Sequence, residues 1–155
     1  MKSETSFTCH QLSPADVGVL KSLLTVFGDA FNEIETYQGA IPSDAYLSAL
    51  LAQNHFIAIV ATKDREVVGG LAAYELEKFE RERREIYIYD LAVASGHRRE
   101  GIATALIRML QRLASERNAY VIFVQADLSD EPAIRLYESL GSKETVHHFD
   151  IVVAR

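Results

Sequence analysis

Asp90 interrupts an otherwise apolar run, Ile86-Tyr-Ile-Tyr-Asp-Leu-Ala-Val93. A carboxylate in a half-buried strand is costly unless it is paired, solvated or used. Asp90 is therefore a candidate general base or anchor for a substrate amine, with plain structural pairing as the alternative. A second stretch follows directly, Arg98-x-x-Gly101-x-Ala103-Thr104. Gly101 has no Cβ, so a bulky anion can approach the main chain there, and Ala103 and Thr104 keep the next turn lean. If a helix begins at this point, its unpaired N–H groups and dipole favour phosphate. No Gly-Lys-Ser/Thr follows the glycine and no Gly-x-Gly-x-x-Gly is present, so this is neither a Walker loop nor a dinucleotide turn. A small-residue helix start after a loop is an equally good reading of the motif alone.

Other candidates are scattered along the chain. Asp127 ends a later apolar run, Tyr120-Val-Ile-Phe-Val124, and Asp150 lies within His147-His-Phe-Asp-Ile-Val. Both are acids where a cleft could open. His147 and His148 suggest a metal, but neighbours on a strand point to opposite faces and cannot converge on one ion, so no metal is expected. His97 reads as a solvated loop histidine. Cys9 is the only cysteine, which rules out an intrachain disulfide or a cysteine-rich metal site and suits a reducing cytoplasm.

The elements that must position these residues are legible from periodicity. Ser6 to Leu12 reads as a weak first strand. Ser13-Pro14-Ala15-Asp16 is a helix-start signature, and Val17, Leu20, Leu24 and Phe27 give that helix a core face ending near Gly28. Asp29 to Pro42 reads as an irregular connection of the length that often belongs to a binding site. A second helix starts at Pro42 or Ser43, with Tyr46, Leu47, Leu50 and Leu51 inward, and ends near Asn54. The stretches 55–61 and 67–76 form a hairpin around Lys63-Asp-Arg-Glu66, and the charged stretch 77–85 leads into the Asp90 strand. A helix from Gly101 to Arg117, with Ile102, Leu106, Met109, Leu110 and Leu113 inward, precedes the 120–124 strand. Asp130-Glu-Pro132 opens a last helix that stops at Gly141, and a final strand is expected over Val146–Val153. The order β-α-α-β-β-β-α-β-α-β predicts a mixed α/β sheet in a single domain spanning 1–155.

Composition narrows the function classes. The chain has 155 residues, 48% hydrophobic and 25% charged, with a formal net charge of −6. That balance argues against nucleic acid or an anionic membrane as partner and permits a cationic small molecule. No Lys or Arg occurs from Ser22 to Thr62, while Asp29, Glu33, Glu35 and Asp44 do. Arg98, Arg99, Arg108, Arg112 and Arg117 crowd the presumed phosphate stretch instead. No apolar run reaches membrane-spanning length, and a soluble cytoplasmic protein is expected.

Leu91-x-Val93-x-x-x-x-Arg98-x-x-Gly101-x-Ala103 resembles the acetyl-CoA site of the GNAT N-acetyltransferase superfamily. The resemblance implies the GNAT acyltransferase fold, a mostly antiparallel mixed sheet flanked by helices with splayed central strands. It also implies that the loop Arg98, Arg99, Glu100, Gly101, Ile102, Ala103 and Thr104 cradles the CoA pyrophosphate, while Leu91, Ala92 and Val93 present amides to the thioester beside a strand bulge. Ser95 and Arg99 stand where many members have proline and glycine. Asp130-x-x-Ala133-x-x-x-Tyr137-x-x-x-Gly141 is a second resemblance. There Tyr137 would protonate the departing thiolate, and Asp130 replaces the usual asparagine while still able to cap the helix.

A narrower resemblance rests on Phe27-Gly-Asp-Ala-Phe31, Ile86–Val93, His97–Leu106, Ala119–Asp127 and His148-Phe-Asp-Ile151. These look like the type I aminoglycoside 3-N-acetyltransferases, over most of the chain from about Leu24 to Ile151. The implied activity is acetyl transfer from acetyl-CoA, without a metal, to the 3-amino group of the 2-deoxystreptamine ring of gentamicin-like antibiotics. The acceptor would sit among Asp29, Glu33, Tyr89, Asp90, Asp127 and Asp150, with Asp90 or Asp127 as base, in a homodimer implied by the resemblance alone. Another amine acceptor, or a non-catalytic CoA-binding sensor, are the alternatives.

Overall fold

A computed structural model describes residues 6–155. They form two compact units, one up to Gln125 and one from Ala126 to Arg155. The first unit holds a five-stranded sheet in the order β1-β2-β3-β4-β5. Its strands are β1 (Thr8–Gln11), β2 (Phe56–Lys63), β3 (Glu66–Glu77), β4 (Arg84–Val93) and β5 (Ala119–Val124), and its helices are α1 (Val17–Phe31), α2 (Ile34–Gln38), α3 (Asp44–Leu51) and α4 (Ile102–Glu116). β1 to β4 pair antiparallel, and β5 joins β4 in parallel after the α4 crossover. The sheet is therefore mixed and flanked by helices, as the sequence predicts.

The strands alternate between two buried faces. One carries Ala58, Val60 and Ala92 against Leu20, Leu23 and Phe27 of α1 and Leu47 and Leu51 of α3. The other carries Ile57, Ile59, Leu71, Ile86 and Ile88, all essentially inaccessible, on the side of α4, whose own Ile102, Leu106 and Leu110 are buried. A layer of helix on each side explains why β2 reads as a continuous apolar run rather than an alternation.

α1 runs past Gly28 to Phe31 and stops at Asn32, which adopts a left-handed φ of 53°. Gly28 is a docking point for the next helix instead. A Cβ there would lie 3.2 Å from Gln38 Nε2 and 3.5 Å from the Ile34 Cα and the Tyr37 Cβ, so glycine lets α2 close against α1. The connection expected to be irregular thus contains a helix, α2. In α3, Ser43 Oγ caps by accepting from the Tyr46 N–H at 3.2 Å. Tyr46, expected inward, is 62% exposed.

In the second unit α5 (Glu131–Leu140) begins at Asp130, whose side chain accepts from the Ala133 N–H at 3.2 Å, and closes with the Gly141 N–H on Tyr137 O at 2.9 Å. The expected final strand over 146–153 is not formed. Its β-branched residues favour extended structure, but a strand also needs a paired edge to satisfy its backbone, and propensity does not supply one.

Candidate active site

β4 departs from a regular strand where Asp90 sits. Ala72 lies opposite Asp90 and Ala73 opposite Ile88, so Tyr89 is an extra residue with no partner on β3. Strict alternation would have placed Asp90 on the buried face of Ile86 and Ile88. The bulge moves it to the opposite face, that of Tyr74 and Tyr87. There the Tyr37 hydroxyl of α2 donates to Asp90 Oδ1 at 3.0 Å. Burial pushes the Asp90 carboxyl above its ordinary pKa, the Tyr37 hydrogen bond opposes that shift, and the charge of Glu33 adds to it. Burial and the facing carboxylate also hold the Tyr37 hydroxyl firmly protonated.

Tyr37 is a site residue that the sequence reading missed, because its segment reads as loop. The available signal was Ile34 and Tyr37 at one-turn spacing after the aromatic Phe31. The ring of Tyr37 packs 5.8 Å from those of both Phe27 and Phe31, and this cluster fixes where its hydroxyl points. Tyr37→Phe keeps the packing and removes one donor. The Asp90 carboxyl should then titrate at higher pH, moving the acidic limb of a pH–rate profile toward alkaline values, with a loss of thermal stability that is small at low pH and grows as Asp90 ionises.

Around Asp90 the face is aromatic. Tyr89 lies edge-on to Tyr74 at 6.0 Å and to Tyr87 at 5.7 Å, and Tyr87 stacks on Phe123 at 4.7 Å. Tyr89 is 63% exposed, so it offers a ring to solvent beside the carboxylate. Glu33, exposed, lies at the start of α2. Asp29 lies elsewhere, with Val26, Ala30, Ala94, Ser95 and Arg98 in a recess of about 150 Å³ between α1 and the loop after β4.

Past the bulge β4 runs on without β5, paired only with β3. Its pairing with β5 ends at Ile88, opposite Val124, while β4 continues to Val93. The Ala94 N–H bonds Val68 O at 2.8 Å on the β3 side. The alternation of an antiparallel ladder then sends the Ala92 N–H to β3 as well and turns those of Leu91 and Val93 toward the side that β5 has left.

The loop between β4 and α4 is built to leave donors free. Arg99 and Gly101 both adopt left-handed φ, 64° and 81°. The Glu100 carboxylate accepts from Lys63 Nζ at 3.1 Å and faces His97 Nδ1 at 3.5 Å. These contacts tie the loop to the β2–β3 turn. Among the described residues, no acceptor takes the N–H of any residue from Arg98 to Thr104, and the first intrahelical bond is Ala105 N–H to Gly101 O at 3.0 Å. A Cβ on Gly101 would meet nothing within 4 Å, so the space above the glycine is open. Of the loop residues expected at a cofactor, Glu100 has its side chain engaged and Ile102 is buried, which leaves each of them only its backbone.

The remaining candidates lie in the second unit. Tyr137, on α5, is half-buried, and burial, helped by the Asp130 charge, pushes its hydroxyl up to about 12. Asp127 is exposed in the turn before α5, where its carbonyl accepts the Asp130 N–H at 3.0 Å. Asp150 is exposed and lies 2.9 Å from His148 Nε2. Among the described residues no group of His, Cys, Asp and Glu could hold a metal ion, and no helix is long and apolar enough to cross a membrane.

A strand bulged beside a carboxylate, parted from its parallel neighbour and followed by a free-donor helix start, is the arrangement of one acyltransferase class. The acetyltransferase (GNAT) family model matches residues 21–141, and the chain belongs to that family. Its similarity is closer to some members than to others. An aminoglycoside acetyltransferase from an uncultured soil metagenomic sample is 59% identical, with a TM-score of 0.95 over 96% of this chain and 99% of that one. A second one, solved in complex with sisomicin, is 33% identical with a TM-score of 0.88 over 96% and 97% of the two chains. N-acetyltransferase family 8 member 2 of Rattus norvegicus is 30% identical over 96 residues, which is 62% of this chain and 42% of that protein. The chain thus spans about two-fifths of the length of the curated relatives it matches.

Proposed function

We propose that this protein transfers the acetyl group of acetyl-CoA to the 3-amino group of the 2-deoxystreptamine ring of gentamicin-like aminoglycosides. The observation that carries this reading is Asp90, half-buried at the β4 bulge and followed at once by main-chain donors that have lost their strand partner. The two soil-metagenome aminoglycoside acetyltransferases support the acceptor class.

The loop suits the diphosphate of acetyl-CoA, given its unaccepted N–H groups, the open space above Gly101 and the exposed Arg98 and Arg99. When bound, acetyl-CoA supplies the acetyl thioester and leaves as its thiol. Asp90 takes a proton from the acceptor ammonium, directly or through water. The other positive amines of the acceptor lower that ammonium's pKa and ease the transfer. The freed nitrogen then bonds the acetyl carbon as the carbon–sulfur bond breaks, and it gives up a second proton to solvent as the amide forms. The N–H groups of Leu91 and Val93 hold the negative charge that develops on the carbonyl oxygen. Tyr137 gives its proton to sulfur and regains one from solvent. Glu33, Asp127, Asp150 and the ring of Tyr89 hold the polycation, and Asp29 adds to the attraction. Cys9 takes no part, since burial raises its thiol and leaves it a poor nucleophile.

Gly101→Val should weaken acetyl-CoA binding at least ~10-fold by titration calorimetry, since a β-branched residue resists positive φ and fills the open space. Unchanged affinity would remove the loop from the account. For the acceptor, gentamicin, kanamycin and spermidine are compared in one acetylation assay. Turnover of the 2-deoxystreptamine antibiotics ahead of spermidine is expected. Turnover of spermidine alone would transfer the reading to a polyamine acceptor, and acetyl-CoA binding with no turnover would favour a sensor.

A further inference from the structure

The end of the β2–β3 hairpin meets the β4–α4 loop and its flanks at three points, all within the first unit. At the root of the loop, the Ala94 N–H donates to Val68 O at 2.8 Å. Val68 has no partner on β2, because Ala61 lies opposite Gly69 and Thr62 opposite Val67, so β3 carries a bulge of its own there. At the far side of the loop, a Cβ on Gly69 would lie 3.0 Å from Ala92 O and 3.1 Å from Ile102 Cγ2. Glycine thus lets the first residue of α4 close over β3. Between these points, Lys63 Nζ donates to both oxygens of Glu100, at 3.1 and 3.3 Å.

The Lys63 contact is not an ordinary surface ion pair, since the lysine side chain is only 9% exposed. Lys63 ends β2 at a two-residue turn whose Asp64 and Arg65 both have left-handed φ, 50° and 68°. Positive φ at both central residues belongs to the tight hairpin turn whose twist matches its strands, so the ammonium stands on a firm support. Glu100 needs such a hold. It lies between Arg99 and Gly101, both left-handed, and a residue with a Cβ stays in that region only where its surroundings impose it. His97 Nδ1 is buried without a hydrogen-bond partner, and at 3.5 Å from Glu100 it is too far for a good bond. Lys63 is therefore the group that binds the carboxylate, and its hydrogen bond holds the Glu100 carboxyl below its ordinary pKa.

We infer that Lys63 is a positioning residue for acetyl-CoA: by gripping Glu100 it keeps the β4–α4 loop in the shape whose main-chain donors are free for a diphosphate, and it neutralises a carboxylate that would otherwise repel that anion. The role in binding rests on the proposed acetyl-CoA function of the loop, but the grip on the loop does not. A loop already held in its binding shape has less freedom to lose when the ligand arrives, so removing Lys63 acts on affinity. Neither Lys63 nor the Glu100 side chain takes part in the transfer itself, so kcat at saturating acetyl-CoA should stay the same while the KM for acetyl-CoA rises.

Limited trypsin digestion of the ligand-free full chain, with the cut bonds identified by mass spectrometry, tests the grip. Arg98 and Arg99 of the loop and Arg81 of the β3–β4 connection are all exposed. Lys63→Met keeps the apolar stem and removes the charge. In that variant cleavage after Arg98 and Arg99 should run at least ~5-fold faster, because the loop opens more often, while cleavage after Arg81 keeps its rate. Equal rates at Arg98 and Arg99 would overturn the grip. So would a like acceleration at all three sites, which marks a weaker fold and not a released loop. Titration calorimetry with CoA tests the role in binding. Lys63→Met should weaken binding about 10-fold, and Lys63→Arg should keep most of the affinity. Adding Glu100→Gln to Lys63→Met should recover part of the loss, because the unpaired carboxylate is gone. Equal affinity of wild type and Lys63→Met would overturn the positioning role alone, whereas a wild type that binds no CoA would overturn it together with the acetyl-CoA reading.

Discussion

Asp90→Asn should lower kcat/KM for a gentamicin-type acceptor by about 10²–10⁴-fold, the range for loss of a positioned general base, while leaving the fold as stable or more stable. The two effects have one origin. Burial raises the Asp90 carboxyl, so the folded chain holds that proton more tightly than the unfolded chain does. Between the ordinary carboxylate pKa and the raised one, stability falls as pH rises, and above that window the ionised group is a standing cost. Asparagine removes the charge and keeps an oxygen for the Tyr37 hydroxyl. Thermal denaturation at acidic and neutral pH checks this. The two proteins should differ little at low pH, with the variant gaining relative to wild type as pH rises. Retention of most activity in Asp90→Asn would show that Asp90 is only structurally paired.

Tyr137→Phe should reduce kcat by about 100-fold or more with little change in the KM for acetyl-CoA. Its hydroxyl, pushed up to about 12, keeps its proton at any ordinary assay pH. A group that holds a proton so firmly is a poor base and a suitable donor to a thiolate, which needs a proton only once the carbon–sulfur bond is breaking. Phenylalanine fills the same half-buried space, so the melting temperature should barely move. An unchanged kcat would remove Tyr137 from the reaction and leave it a packing residue on α5.

The sequence carried most of this fold because its elements follow strong local rules. The apolar run of β2, the hairpin around Asp64, the α4 stripe and the Asp130 cap are all written in short-range spacing and all appear in the structure. Asp90 also stood out, because a carboxylate breaks an apolar pattern. What was not legible depended on distance. α2 has only 5 residues, too few for a periodicity, and it is held by packing against Gly28, so Tyr37 went unseen. The bulge at Tyr89 is a property of two strands in register, and one strand read alone would have put Asp90 on the wrong face. The Lys63–Glu100 tether joins residues far apart in sequence, which no spacing reveals. At 146–153 the failure ran the other way. Strand propensity was plain, but a strand also requires a paired edge, which propensity does not supply.

The most direct measurement is the structure of the product formed from gentamicin and acetyl-CoA by the purified protein, with the acetylated amine located by nuclear magnetic resonance. The account predicts a single acetyl group on the 3-amino nitrogen of the 2-deoxystreptamine ring. Acetylation at any other amine, or an unmodified antibiotic after prolonged incubation, would contradict it.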